Sequence, residues 1–176
     1  MSDWLQNQIR SFESLQGKTV KRWVGIEMAL QETEDGIPEF RHDSVRYFQM
    51  SRIDAELKDE PTARFVTSQG KDVFGLIRYD DLAEIVVHDE EDWGNFLCAR
   101  VVHELPTGRI KEVKVLTESN VISEVRLQID ADEIGLFAGE VYDDFDKKYS
   151  VRFLAECVLL QLNGERPEVL SFSPGG

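Results

Sequence analysis

Motifs that would fix a chemistry are missing from this chain. There is no GxSxG, no P-loop signature, no GxGxxG and no HExxH, so triad and phosphate-cradling readings have nothing to stand on. Cysteine is scarce, with two residues and no CxxC or Cys/His cluster around them. Cys98 in FLCARVV and Cys157 in LAECVLL read as small buried hydrophobes, and no disulfide framework is implied. Long apolar runs, a basic leader and low-complexity tracts are lacking too, which argues against a membrane span, secretion and disorder. The expectation is a soluble, cytoplasmic protein with no membrane partner.

Positive charge is also in short supply: 20 Lys and Arg face 34 Asp and Glu, a formal net charge of −14. Nucleic-acid binding draws its affinity from cations that neutralise phosphates, so a nucleic-acid partner is not expected. A basic protein surface would instead be attracted and steered. The plainer meaning of the acidity is solubility alone.

What is present reads as one domain over 1–176. SDWLQNQIRSFESLQG carries a capping Ser2, an acid at Asp3, apolar residues at Trp4, Leu5, Ile9, Phe12 and Leu15, and then Gly17. This spacing predicts one amphipathic helix over 2–16, closed by a glycine that takes the left-handed cap. After Gly17 the period changes. In VISEVRLQI, Val121, Val125, Leu127 and Ile129 alternate with Glu124, Arg126 and Gln128, the period of a half-buried strand. Similar runs fall near 18–31, 44–57, 63–68, 72–79, 82–88, 95–105, 110–117, 134–142 and 149–162, with short turn-forming segments between them. The fold class is mainly β (α+β): an antiparallel sheet, or a partly open barrel or sandwich, of about 8–10 strands over 18–163, with one N-terminal helix and a loose tail over 164–176.

LAEIVV at 82–87 and LAECVL at 154–159 share four of six residues. About three such coincidences arise by chance among the chain's six-residue windows. Strand grammar accounts for the match, and a diverged duplication of about 17–90 in 108–163 stands as the alternative.

Candidate sites follow from residue type and place. Acidic clusters recur at 32–35, 89–92, 130–133 and 143–146, and none has the ligand offsets of a calcium loop. They read as solvated turns, and neither a metal nor a cofactor is expected. Aromatics ringed by acids are the best interface anchors. They place a binding surface on Trp93 with Asp89, Glu90, Glu91 and Asp92, and on Tyr142 and Phe145 with Asp143 and Asp144; Phe40 is a further candidate. His103 lies in LCARVVHEL, on the odd face with Leu97, Ala99, Val101 and Leu105, and with Glu140 it is the candidate for a polar pocket. Glu84, Glu104, Glu124 and Glu156 also stand in or near strands and could line a cleft or an exposed sheet face. Gly135 and Gly139 inside an apolar strand predict a bulge or a close backbone approach.

Taken together, NVISEVRLQIDADEIGLFAGEVYDDF and the later LAECVLL resemble small acidic bacterial proteins, some of which are encoded beside secreted toxins as immunity proteins. The resemblance covers the last third of the chain. It implies a non-catalytic protein that blocks a toxin by binding. Two other readings stand beside it: a small enzyme or ligand-binding protein using Glu140 and His103, and a homo-oligomer packing through a Trp4 and Phe12 helix face.

Overall fold

The computed structural model describes residues 1–81, 96–144 and 148–164. One helix, α1 (Asp3–Glu13), precedes β1 (Thr19–Met28), β2 (Gln31–Glu32), β3 (Pro38–Glu39), β4 (Phe48–Leu57), β5 (Thr62–Gln69), β6 (Phe74–Asp81), β7 (Leu97–Val101), β8 (Gly108–Glu118), β9 (Val121–Ile129), β10 (Asp132–Asp144) and β11 (Lys148–Leu162). Nine of these strands form one sheet in the order β6-β5-β4-β11-β10-β9-β8-β1-β7, and β2 and β3 form a separate hairpin. Every pairing is antiparallel. The fold is the mainly β class with an N-terminal helix that the two-residue alternation predicts.

The sheet curls toward a ring because β4 pairs with β1 along one edge and with β11, then β5, along the other. Between β1 and β8 the ring is held by a short contact, Thr19↔Arg109 and Val20↔Gly108 with two backbone bonds that join Gly17 and Lys18 to Ile110, so no full barrel forms. Beyond a bulge at Val20/Arg22, β1 swings away from β8 and takes β7 as its neighbour.

Helix α1 covers this arrangement. Ser2 Oγ accepts from the Leu5 amide at 3.2 Å, the N-cap that Ser2 foretells. Leu5, Phe12 and Leu15 are buried in the main core with Trp23, Ile53, Phe65, Leu127 and Ile129. Phe12 stacks on Phe65, with ring centroids 5.7 Å apart. Gly17 takes the left-handed φ of +89°, but the helix ends before it, at Glu13 with Ser14 as its cap, and the Gly17 amide bonds the Ile110 carbonyl at 2.8 Å instead of a helix carbonyl. Arg78 of β6 donates to the Ser11 carbonyl and to Ser14 Oγ, placing a cation against the carbonyls that a helix end leaves unpaired. The helix face is therefore covered by its own sheet, and Phe12 is not available to a second copy. Trp4 alone among its large apolar residues stays open, 53% exposed.

A second core lies on the outer face of β10 and β11, where Leu30, Tyr47, Phe137, Val141 and Leu159 meet under the segment that carries the β2–β3 hairpin. This layer corrects two expectations. Phe40, offered as an exposed anchor, is buried with Ala29 and Cys98. Glu124 does point away from Val125 and Leu127, yet it is buried, because Arg126 bonds its carboxylate there and Glu133 holds the other side of that guanidinium at 3.0 Å.

The predicted bulge is present. Pairing jumps from Ala138↔Val158 to Gly139↔Phe153, leaving residues 154–157 without partners on β10 and Leu154 at φ +59°. A Cβ on Gly139 would come within 3.1 Å of the Arg152 carbonyl and 2.7 Å of Leu159. The LAEIVV segment lies outside the described residues.

Candidate functional site

The β10–β11 ribbon carries the Tyr142 and Asp143 candidates, and alternation sends them to opposite faces. On one face, Tyr142 OH donates to Glu140 at 2.8 Å, with Arg152 opposite Glu140 across the ribbon. Burial first, then the bond to Glu140, pushes the Tyr142 phenol up. On the other face, Asp143 stands opposite Tyr149. Tyr149 OH donates to Glu39 at 3.3 Å, and Gln31 Nε2 holds the same carboxylate oxygen at 2.7 Å. The Tyr149 phenol is pushed up to about 12 by burial, then by Glu39 and Asp143.

The Tyr149–Glu39 bond ties the β2–β3 hairpin to the β10–β11 ribbon across 110 positions of sequence. The β2–β3 turn, closed by Thr33 N donating to the Ile37 carbonyl at 2.8 Å, exposes Glu32, Glu34 and Asp35 together with Ile37. His42 packs its ring against Tyr149 at 4.8 Å. The result is a ribbon end with Tyr142 open on one face and Tyr149, His42 and Glu39 on the other. Asp144 pairs with Lys148 in the backbone register. Trp93, Asp89, Glu90, Glu91, Asp92, Phe145 and Glu84 lie outside the described residues.

His103 is not on a strand face. β7 ends at Val101, Val102 N bonds to the Trp23 carbonyl and Leu105 N returns to the Val102 carbonyl. This turn breaks the alternation and leaves His103 exposed. Neither His103 nor Glu140 lines the hollow beside Trp4 or the open groove along Gln16, Gly17, Arg109 and Lys111. Glu156 is exposed on the bulge of β11 while Ala155 and Cys157 are buried beside it. The Cys157 thiol is pushed up to about 12, by burial and then by Glu140 and Glu156.

One charged cluster was not foreseen. Glu27, 1% exposed, sits between Arg100 and Arg41: Arg100 Nε donates to it at 2.6 Å and Arg41 approaches its other oxygen at 3.0 Å. Glu104 closes the quartet, accepting from Arg100 at 2.9 and 3.1 Å. Arg41 also lies over the Phe48 ring at 3.7 Å. The visible signal was a glutamate inside the apolar strand VGIEM. Asp54 and Arg64 form a second pair, bidentate at 2.8 and 2.9 Å with both side chains 3% exposed. In each case arginine and carboxylate from neighbouring strands bind one another, which ties β7 to β1 and β5 to β4.

Among the described residues no helix is long and apolar enough to cross a membrane. Among the described residues no group of three or more His, Cys, Asp and Glu side chains is placed to hold a metal ion. No family model, no curated protein and no solved structure matches the chain.

Proposed function

We propose that this chain is an acidic binding protein, of the immunity type, which inhibits a basic protein partner by covering it. The observation that carries the reading is the ribbon end: Tyr142 and Asp143 are exposed at the end of β10, and the Tyr149–Glu39 bond ties to the ribbon a hairpin whose turn exposes Glu32, Glu34 and Asp35. Meanwhile Arg22, Arg41, Arg64, Arg78, Arg100 and Arg126 are engaged by carboxylates of the same chain. Exposed acids in a chain with net charge −14 steer a basic surface inward, and an aromatic desolvated at the centre supplies the affinity. The net charge of −14 and the resemblance of the C-terminal third to immunity-type proteins support the same reading. The cytoplasm is the proposed compartment, supported by two buried cysteines that are not joined in a disulfide.

The test is retention of proteins from source cells on the tagged chain at low and at moderate salt, read by mass spectrometry. The expected result is one basic protein at near-unit stoichiometry, weakened by salt and lost from an Asp143→Lys, Glu39→Lys chain. Trp93→Ala tests the sequence-derived anchor in the same assay. Retention of no protein, or of one indifferent to salt and to both charge reversals, overturns the reading.

A further inference from the structure

Between the first turn of α1, the β5–β6 turn and the β8–β9 turn lies a hollow of 160 Å³. One side is the Trp4 indole, and the floor is Leu76, Val121 and Ile122. The close fit of β6 on β9 shapes it: Gly75 lies so near Val121 that a Cβ there would be 2.4 Å from the Val121 Cβ. Its rim carries the Ser68 hydroxyl and the amides of Gln69 and Asn120, and these three side chains have no hydrogen-bond partner among the described residues.

Two features narrow what fits. First, among the described residues no charged one lines the hollow, in a chain in which 31% of residues are charged. An ionic ligand would find no counter-charge in it. Second, apolar floor and neutral polar rim occur together. A purely aliphatic guest would leave the rim amides and hydroxyl without partners, whereas a guest with one apolar face and a circle of hydroxyl groups uses both. The volume lies below the roughly 300–1,000 Å³ of pockets that enclose a whole drug-sized ligand, so it admits one ring and leaves the rest outside.

We infer that the hollow binds a single ring of a neutral saccharide, stacked on Trp4 and hydrogen-bonded by Ser68, Gln69 and Asn120. This does not depend on the acidic ribbon end or on a basic protein partner. Trp4 is well placed for the role, because the remainder of its helix is anchored by Leu5, Phe12 and Leu15 and the indole is spared from the core.

The test is a titration of the isotope-labelled full chain with neutral methyl pyranosides of glucose, galactose, mannose and N-acetylglucosamine, followed by amide and indole resonances. Isobutanol and methyl glucuronide serve as the aliphatic and anionic controls. Saturable shifts for at least one pyranoside at the Trp4 indole, Gly70, Gly75 and Asn120 are expected, with weaker binding of both controls. Trp4→Ala is expected to weaken binding by roughly tenfold or more, and its unchanged spectrum elsewhere shows that the fold survives. Asn120→Gly, which keeps the left-handed turn at φ +62°, is expected to weaken binding without touching the indole. The inference is overturned if no pyranoside gives saturable shifts there, if isobutanol or the glucuronide binds as tightly, or if Trp4→Ala binds as the parent does. Tight isobutanol binding would mark the hollow as a seat for an apolar side chain of a protein.

Discussion

Arg100 Nε lies 2.6 Å from the Glu27 carboxylate across 73 positions of sequence, and Glu27 is the buried partner of the two. Removing the acid leaves Arg100, whose side chain is 12% exposed, without its inner partner. Glu27→Ala is expected to cost about 3 kcal/mol, read as a lower urea midpoint at unchanged slope. Glu27→Gln should cost less, since its amide oxygen still accepts from Arg100.

Glu104 stands at the rim of the same quartet, and its contribution depends on pH. Burial pushes its carboxyl up, but the bonds from Arg100 and from its own backbone amide, with the Arg41 charge, outweigh this and hold it below the usual range. A depressed folded value gives stability that is complete above the unfolded glutamate pKa of about 4.3 and fades as pH falls below it. Glu104→Gln should therefore lose under about 1 kcal/mol at neutral pH. Denaturation of parent and variant at descending pH should bring the two together in acid; a gap that widens there would contradict the assignment.

Arg78→Ala should release the end of α1. Its guanidinium holds the Ser11 carbonyl and Ser14 Oγ, and Asp80 holds the guanidinium at 2.9 Å. The loss is expected to be about 1–3 kcal/mol. Hydrogen exchange should locate it: amides of α1 lose protection before those of β9 and β10.

Tyr149 should titrate late. Tyr149 is held up to about 12 by burial, then by Glu39 and Asp143. A phenol whose folded value exceeds its unfolded value of about 10 stabilises the fold fully below that pH and progressively less as pH rises toward the folded value. Phenolate absorbance is expected to show a late step that Glu39→Gln moves to lower pH. An unmoved step would dissociate the hairpin from Tyr149.

Cys157 should be inert. With its thiol pushed up to about 12 by burial and by Glu140 and Glu156, almost no thiolate forms near pH 8. Ellman's reagent should find it unreactive in the native protein, and both cysteines should react in urea. Rapid native labelling of Cys157, identified by peptide mapping, would be the contrary result.

The alternation in VISEVRLQI and the capped stripe of the first helix were legible because each is local: two or four residues suffice to show the period. The bulge at Gly139 was legible for a similar reason, since glycine in an apolar strand marks a place where backbone comes close. His103 was misplaced because alternation was carried two residues past the end of β7, through a turn that depends on Trp23. The quartet around Glu27 was hidden for a different reason. Its members belong to β1, β7 and the segments that follow β3 and β7, and only the pairing of β7 on β1 and the return of the chain after β3 bring them together. The ribbon end combines both cases: Tyr142 and Asp143 were singled out from their own cluster, while Glu39 and His42 joined them through the fold of a distant hairpin.

The ring also has a consequence for synthesis. β4 receives β1 and β5 early, but its other partner, β11, contributes Val158, Leu159 and Leu160, near the end of the described chain. β8 and β9, on which α1 rests, are complete only at Ile129. A growing chain thus carries an apolar helix face and an open strand edge through most of its emergence, the species most prone to wrong pairing. Closure is a late, long-range event that waits for the last strand, and translation speed over 130–160 is the lever that sets how long the incomplete ring stays exposed.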